Sequence, residues 1–168
     1  MEQRTRSTAG AAVPLELGAL SEAYADMIYR LALVRTRNRA EAEDVLQDVF
    51  FRCLRRQPEF KDEEHQKAWL ITAAIRSSNS LLGRADRRHG AGAEALEFLS
   101  TEDDTDNTVY NAVMQLPEKY RTAVHLFYYE GYSVEEIGRM TDTKPSTVKS
   151  HLHRAREALR VALKEEEG

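Results

Sequence analysis

The apolar residues of this 168-residue chain recur at spacings of three and four, and no stretch alternates with period two for long. Only a helix gathers such a spacing onto one face, so the sequence predicts an all-α fold. Leu20, Tyr24, Ile28 and Leu31 form a first stripe, and Ala42, Val45, Leu46, Val49, Phe50, Cys53 and Leu54 a second. Asn38 followed by Glu41 resembles a capping box at the start of that second helix, and Pro58 lies just past its end. A third helix is expected from about Glu64 to Gly83, with Ala68, Trp69, Ile71, Ile75 and Leu82 facing inward. Val109 and Val113 begin a short helix that stops before Pro117, which suits the first turn of a helix running to Gly131. Ser133 to Glu136 is a capping box opening another short helix, and Pro145 opens a last one reaching about Lys164.

Charge divides these helices into two groups. Lys plus Arg is 24 and Asp plus Glu is 28, a net charge of −4, which argues against holding nucleic acid by bulk electrostatics. The distribution is more informative than the total. Residues 91–108 contain no Lys or Arg but six acids: Glu94, Glu97, Glu102, Asp103, Asp104 and Asp106. Gly, Ala, Ser and Thr fill much of the same stretch, so it buries little apolar surface and reads as a flexible acidic linker between two small helical units. Self-repulsion should keep it extended.

Other classes are excluded by what the chain lacks. Its longest apolar runs, such as Ile71 to Ile75, fall far short of the ~20 residues of a spanning helix. The first 15 residues carry two Arg and no apolar block of signal-peptide type, so a cytoplasmic protein without membrane insertion is expected. The single cysteine, Cys53, cannot form an internal disulfide or a cysteine-cluster zinc site, and it reads as core filler. The five histidines show no metal-ligand spacing, and no Ser/His/Asp set, glycine-rich phosphate loop or paired-carboxylate site stands out. No metal, no cofactor and no enzyme activity are expected.

The short helix from Val134 to Met140, a turn of about four residues and the helix from Pro145 form a helix-turn-helix. The last helix sets Lys144, Lys149, Arg154, Arg156 and Arg160 against one acid, Glu157, and its first turns present groups that suit base edges and phosphates. Spacing alone leaves open a plain helical hairpin with a solvated basic face.

Here the residues resemble a family. Leu116-Pro117-Glu118-Lys119-Tyr120-Arg121, Tyr129 through Gly138, and Ser146 through Arg156 resemble region 4 of bacterial sigma factors of the extracytoplasmic-function (ECF) group. Ala42 through Phe50, and Trp69-Leu70-Ile71 with Ala73-Ala74-Ile75, resemble sigma region 2. The resemblance implies a flexible N-terminus at 1–16, region 2 at 17–88, the acidic linker at 89–107 and the region 4 helix-turn-helix at 108–164. It implies that Asp44, Gln47 and Asp48 bind core RNA polymerase, and that Trp69, Arg76, Ser80 and Arg84 engage and melt the −10 element. Thr147, Lys149, Ser150, His153 and Arg154 would read the −35 element. The implied partners are core RNA polymerase (β′ clamp and β flap), promoter DNA and an anti-sigma factor, with the linker threaded through the polymerase cleft. Arg76 and Ser80 stand where the family commonly has Asn and Asp, Gly83 replaces a frequent Arg, Ser146 replaces a common Gly, and Lys144-Pro145 is an unusual lead into the last helix. The alternative is a helix-turn-helix regulator with an N-terminal sensing domain, which would bind DNA without polymerase.

Overall fold

A computed structural model describes residues 16–88 and 104–167, all of whose regular elements are helical. Helix α1 spans Leu17–Thr36 and turns Leu20, Ile28, Leu31 and Ala32 inward. It ends at Arg37, whose left-handed conformation (φ 53°) aims its N–H at the Leu33 carbonyl. Helix α2, Arg39–Arg56, starts as expected: the Asn38 side chain accepts the Glu41 N–H at 3.0 Å, filling one of the orphan donors of the first turn. Ala42, Val45, Val49 and Cys53 form its buried stripe. Leu54, expected on that stripe, is instead 45% exposed. Nine residues beyond Val45 it lies half a turn round the helix, because two and a half turns separate them.

Helix α3 spans Glu63–Arg88, longer than the sequence suggested. The fully buried Phe60 anchors its start, edge-on to Trp69 at 5.8 Å, so Trp69 is a half-buried packing residue. Leu70, Ile71, Ala74 and Ile75 complete the inner face, while Leu82 is half-buried. These three helices pack pairwise into one bundle.

The second unit begins with α4, Asp104–Met114, whose first turn takes in residues expected to belong to the linker. Residues 1–15 of the predicted N-terminus and the rest of the acidic stretch lie outside the described residues. Helix α5, Glu118–Val124, follows Pro117 and does not continue regularly to Gly131. It opens into a wider π turn, His125–Tyr129, with the Glu130 N–H on the His125 carbonyl five residues back. Gly131 (φ 79°) then closes this end, and the Tyr132 N–H returns to the Leu126 carbonyl at 2.9 Å, a C-terminal motif that favours glycine.

Helix α6, Val134–Thr141, carries the full capping box: Glu136 N–H to Ser133 Oγ and Ser133 N–H to Glu136 Oε1, both at 3.1 Å. The turn after it is tight. A Cβ at Gly138 would lie 2.6 Å from the Thr143 carbonyl oxygen, so only glycine lets the chain double back at this distance. Helix α7, Pro145–Glu167, packs Val148, Leu152 and Ala155 on α5 and α6. The two units also touch, α1 against α5 and α3 against α6.

Candidate nucleic-acid and polymerase interfaces

Helix α7 separates its two faces cleanly. With Val148, Leu152 and Ala155 buried, Lys149, Ser150, His153 and Arg154 fall on the opposite side and are exposed. Two other cations counted in the sequence are engaged: Arg156 donates to the Tyr128 hydroxyl at 3.1 Å, and Arg160 pairs with Glu157. The outward cationic groups of the first three turns are therefore Lys149 and Arg154, on which anion or guanine recognition would fall. Thr147 is half-buried and borders a cleft toward α3. His151 leans on the Tyr120 ring, with centroids 5.5 Å apart, and burial together with Lys119 and Arg154 lowers its pKa. It is a neutral packing group rather than part of the outer face.

Helix α3 places Trp69, Arg76 and Ser80 at i, i+7 and i+11, hence on one stripe at the edge of the buried face, with Trp69 itself half-buried against the core. Arg76 and Ser80 are exposed. Arg84 continues that stripe by register, at i+15. The exposed groups of this stripe are a cation and a hydroxyl, a set able to contact phosphates, beside the partly covered Trp69 ring.

On α2, Asp44 and Gln47 are exposed and Asp48 is half-exposed, accepting Arg52 Nε at 2.9 Å. These three lie diametrically across from the buried stripe. Phe51 sits among them and is 60% exposed, with Leu54 beside it. Sequence reasoning did not single out Phe51. The signal was there, since 44, 47, 48 and 51 follow the i, i+3, i+4, i+7 pattern, but the strong inner stripe drew the apolar residues to itself. An exposed phenyl ring framed by acids matches in chemistry a partner surface with a basic rim and an apolar centre.

The three faces lie on three different helices, and the structure does not merge them into one site. Among the described residues no helix is long and apolar enough to cross a membrane, and no group of three or more His, Cys, Asp or Glu could hold a metal ion. Cys53 is buried, which raises its thiol pKa to about 11 and makes it unreactive at neutral pH.

Residues 20–88 match the family model for Sigma-70 region 2, and residues 106–159 match that for Sigma-70, region 4. The chain is 31% identical over 163 residues to the ECF RNA polymerase sigma factor SigW of Bacillus subtilis, with 84% of this chain and 86% of that protein covered. It is 30% identical over 168 residues to the ECF sigma factor SigL of Mycobacterium tuberculosis, with 95% of each covered. The fold matches the sigma factor RpoE of Bartonella quintana, solved in complex with the anti-sigma factor NepR, at a TM-score of 0.70 and 21% identity, over 88% of this chain and 96% of that one. With both regions present in order and relatives matched over nearly their whole length, the chain belongs to the ECF group of bacterial RNA polymerase sigma factors, which direct promoter-specific initiation of transcription.

Proposed function

We propose that the three outward faces divide the work of initiation. The face of α2 built from Asp44, Gln47, Asp48 and Phe51 docks on core RNA polymerase at the β′ clamp. The stripe of α3 with Trp69, Arg76, Ser80 and Arg84 engages the −10 element and helps open it. The outer face of α7, with Lys149, Ser150, His153 and Arg154, enters the major groove of the −35 element, with Thr147 at its edge. On this reading residues 17–88 are region 2, 108–164 are region 4 with a contact to the β flap, and 89–107 join them behind a tail at 1–16. The polymerase supplies the catalysis, and this chain supplies no catalytic group. It acts in the cytoplasm without inserting in a membrane, and an anti-sigma factor holds it off, as NepR partners the RpoE of similar fold.

The observation that carries this reading is the acid-framed Phe51 on α2, because a regulator that binds DNA alone has no need of it. Run-off transcription with core polymerase and genomic promoter fragments tests the whole: initiation should depend on this chain. Within that assay Asp48→Lys should weaken core binding about tenfold, close to 1.4 kcal/mol, with helicity unchanged. Unchanged core affinity would move the docking surface off α2. Arg154→Ala and His153→Ala should each cost ~1–3 kcal/mol of promoter affinity and relax preference at one position upstream. Full footprint protection of the −35 region in both variants would place recognition elsewhere. A gel shift without polymerase separates the alternative regulator, which would bind its site unaided.

A further inference from the structure

Where α3, α5, α6 and α7 meet, the side chains leave a cleft of about 300 Å³, at the small end of the range that receives organic molecules. Its floor is apolar, formed by the buried side chains of Ile75 on α3, Ile137 on α6 and Val148 on α7. The polar groups around that floor are mostly donors. Arg35 Nη2 donates to Asn79 Oδ1, which leaves both N–H bonds of that amide without a partner among the described residues. Thr147 Oγ1, the His151 ring nitrogens and Lys119 Nζ likewise have no hydrogen-bond or ion-pair partner among the described residues. The carboxylate in the lining is already engaged, since Glu118 Oε1 pairs with Arg35 Nη1 at 2.7 Å.

The charge balance follows from that pair. Arg35 and Glu118 cancel, so the exposed Lys119 leaves the rim of the cleft with one positive charge. His151 registers this field: burial first, then Lys119 and Arg154, hold its pKa below the usual value. The ring is therefore a neutral hydrogen-bonding group and not a second cation. Thr147 sits in the first turn of α7, at the positive end of the helix dipole. An apolar floor, unpartnered donors and one unbalanced positive charge are the complement of a small molecule with an apolar body and a single anionic group. A carboxylate on a hydrocarbon or aromatic body suits it better than bare phosphate, which would leave Ile75, Ile137 and Val148 uncovered.

We propose that this cleft binds a small organic carboxylate, with the anionic head on Lys119, Asn79 and Thr147 and the apolar body on the floor. The ligand touches both helical units, because Asn79 belongs to the first and Lys119 and Thr147 to the second. It also engages the Thr147 hydroxyl at the edge of the face assigned to the −35 element, a consequence that rests on the DNA-reading role given to α7 above.

Benzoate is the probe, titrated against the isotope-labelled full chain by NMR at fixed pH and ionic strength. It should saturate with a Kd of about 1 mM, as expected of so small a ligand, and should shift the amide signals of Asn79 and Thr147. Acetate lacks the apolar body, benzyl alcohol lacks the charge, and inorganic phosphate lacks the body; each should bind at least about tenfold more weakly. With benzoate bound, His151 should titrate at higher pH, because a neighbouring carboxylate favours the protonated ring, while His153 on the outer face should not move. Lys119→Gln should weaken benzoate about 5- to 10-fold, and Lys119→Arg, which keeps the charge, should stay within about twofold of wild type. Lys119 is exposed, so both variants should fold. Thr147→Val, which removes only the hydroxyl, should cost about threefold. No saturation below about 20 mM benzoate, equal binding of acetate or phosphate, or the same affinity in Lys119→Gln as in wild type overturns the proposal. None of these readouts involves DNA or polymerase, so a failure of the cleft and a failure of the DNA-reading role are told apart.

Discussion

The interior of the N-terminal bundle and the seam where the two units meet are both buried, yet the seam adds charge to the hydrocarbon that fills the bundle. Ile28, Leu31, Val45, Val49, Leu70 and Ile71 fill the bundle with hydrocarbon, where burial is non-directional and the whole unit shares it. Between the units the hydrocarbon continues, but Arg35, Arg121, Thr122 and Ser78 are buried with it, each held by directed hydrogen bonds. Hydrocarbon gains stability only from leaving water, so opening the bundle means unfolding it. Charge loses hydration on burial and recovers it on exposure, so parting the arginines from their partners should cost less than opening the bundle.

The sharpest way to break this comparison is at Ile71, which has no exposed surface. Ile71→Ala should cost about 2–5 kcal/mol, combining lost transfer energy with a cavity, and should lower the denaturant midpoint of the N-terminal unit. Seam variants should leave that midpoint nearly in place. If Arg121→Gln lowers it as far as Ile71→Ala does, the seam belongs to the core and the distinction falls.

The sequence announced the bundle far better than the seam. Asn38, Ser133, Pro117 and Pro145 mark helix starts by local chemistry, and the 3.6-residue period marks inner faces, so both are legible without tertiary information. Arg35 and Arg121 carry no such local signature. Their partners lie 86 and 87 positions away, and an arginine in a helix ordinarily points to water. The π turn at His125–Tyr129 was equally hidden, because its apolar spacing imitates an ordinary helix. Phe51 and Leu54 illustrate a third kind of miss: an apolar residue that faces outward is indistinguishable by type from one that faces in. The exposed polar face of α7 was legible because Val148, Leu152 and Ala155 repeat at helical spacing on its other side.

His125 sharpens the comparison through pH. It lies at the seam end of α5, stacked on Tyr129 at 4.9 Å, with Nε2 buried and without a hydrogen-bond partner. Burial first, and Arg30 second, lower its pKa from 6.5 to about 4. Between those values the unfolded chain binds a proton that the folded chain refuses, so stability rises with pH there. The contribution is complete above about pH 6.5 and is lost as pH falls toward 4, up to about 3 kcal/mol at about 1.4 kcal/mol per unit. Urea midpoints at pH 7 and pH 5 should show it, and His125→Phe should remove that part of the slope. An identical pH slope in His125→Phe would assign the titration to other groups.

The smallest effect is expected at the seam's far end, where Lys67 of α3 meets Glu130 beyond the π turn. Lys67 Nζ is 3.8 Å from Glu130 Oε2 and 5.5 Å from the centre of the Tyr132 ring. The lysine is partly exposed, which by itself predicts a pair worth at most about 1 kcal/mol. Glu130 is different, because its side chain is only 8% exposed and Oε2 has no hydrogen-bond partner. Lys67→Met therefore strands a nearly buried carboxylate and should cost about 1–2 kcal/mol, more than the pair itself contributes. Adding Glu130→Gln removes the stranded charge, so the double variant should be more stable than Lys67→Met alone. The double-mutant cycle in urea measures this directly, and purely additive single effects would mean that the two groups are solvated separately and that this end of the seam holds nothing.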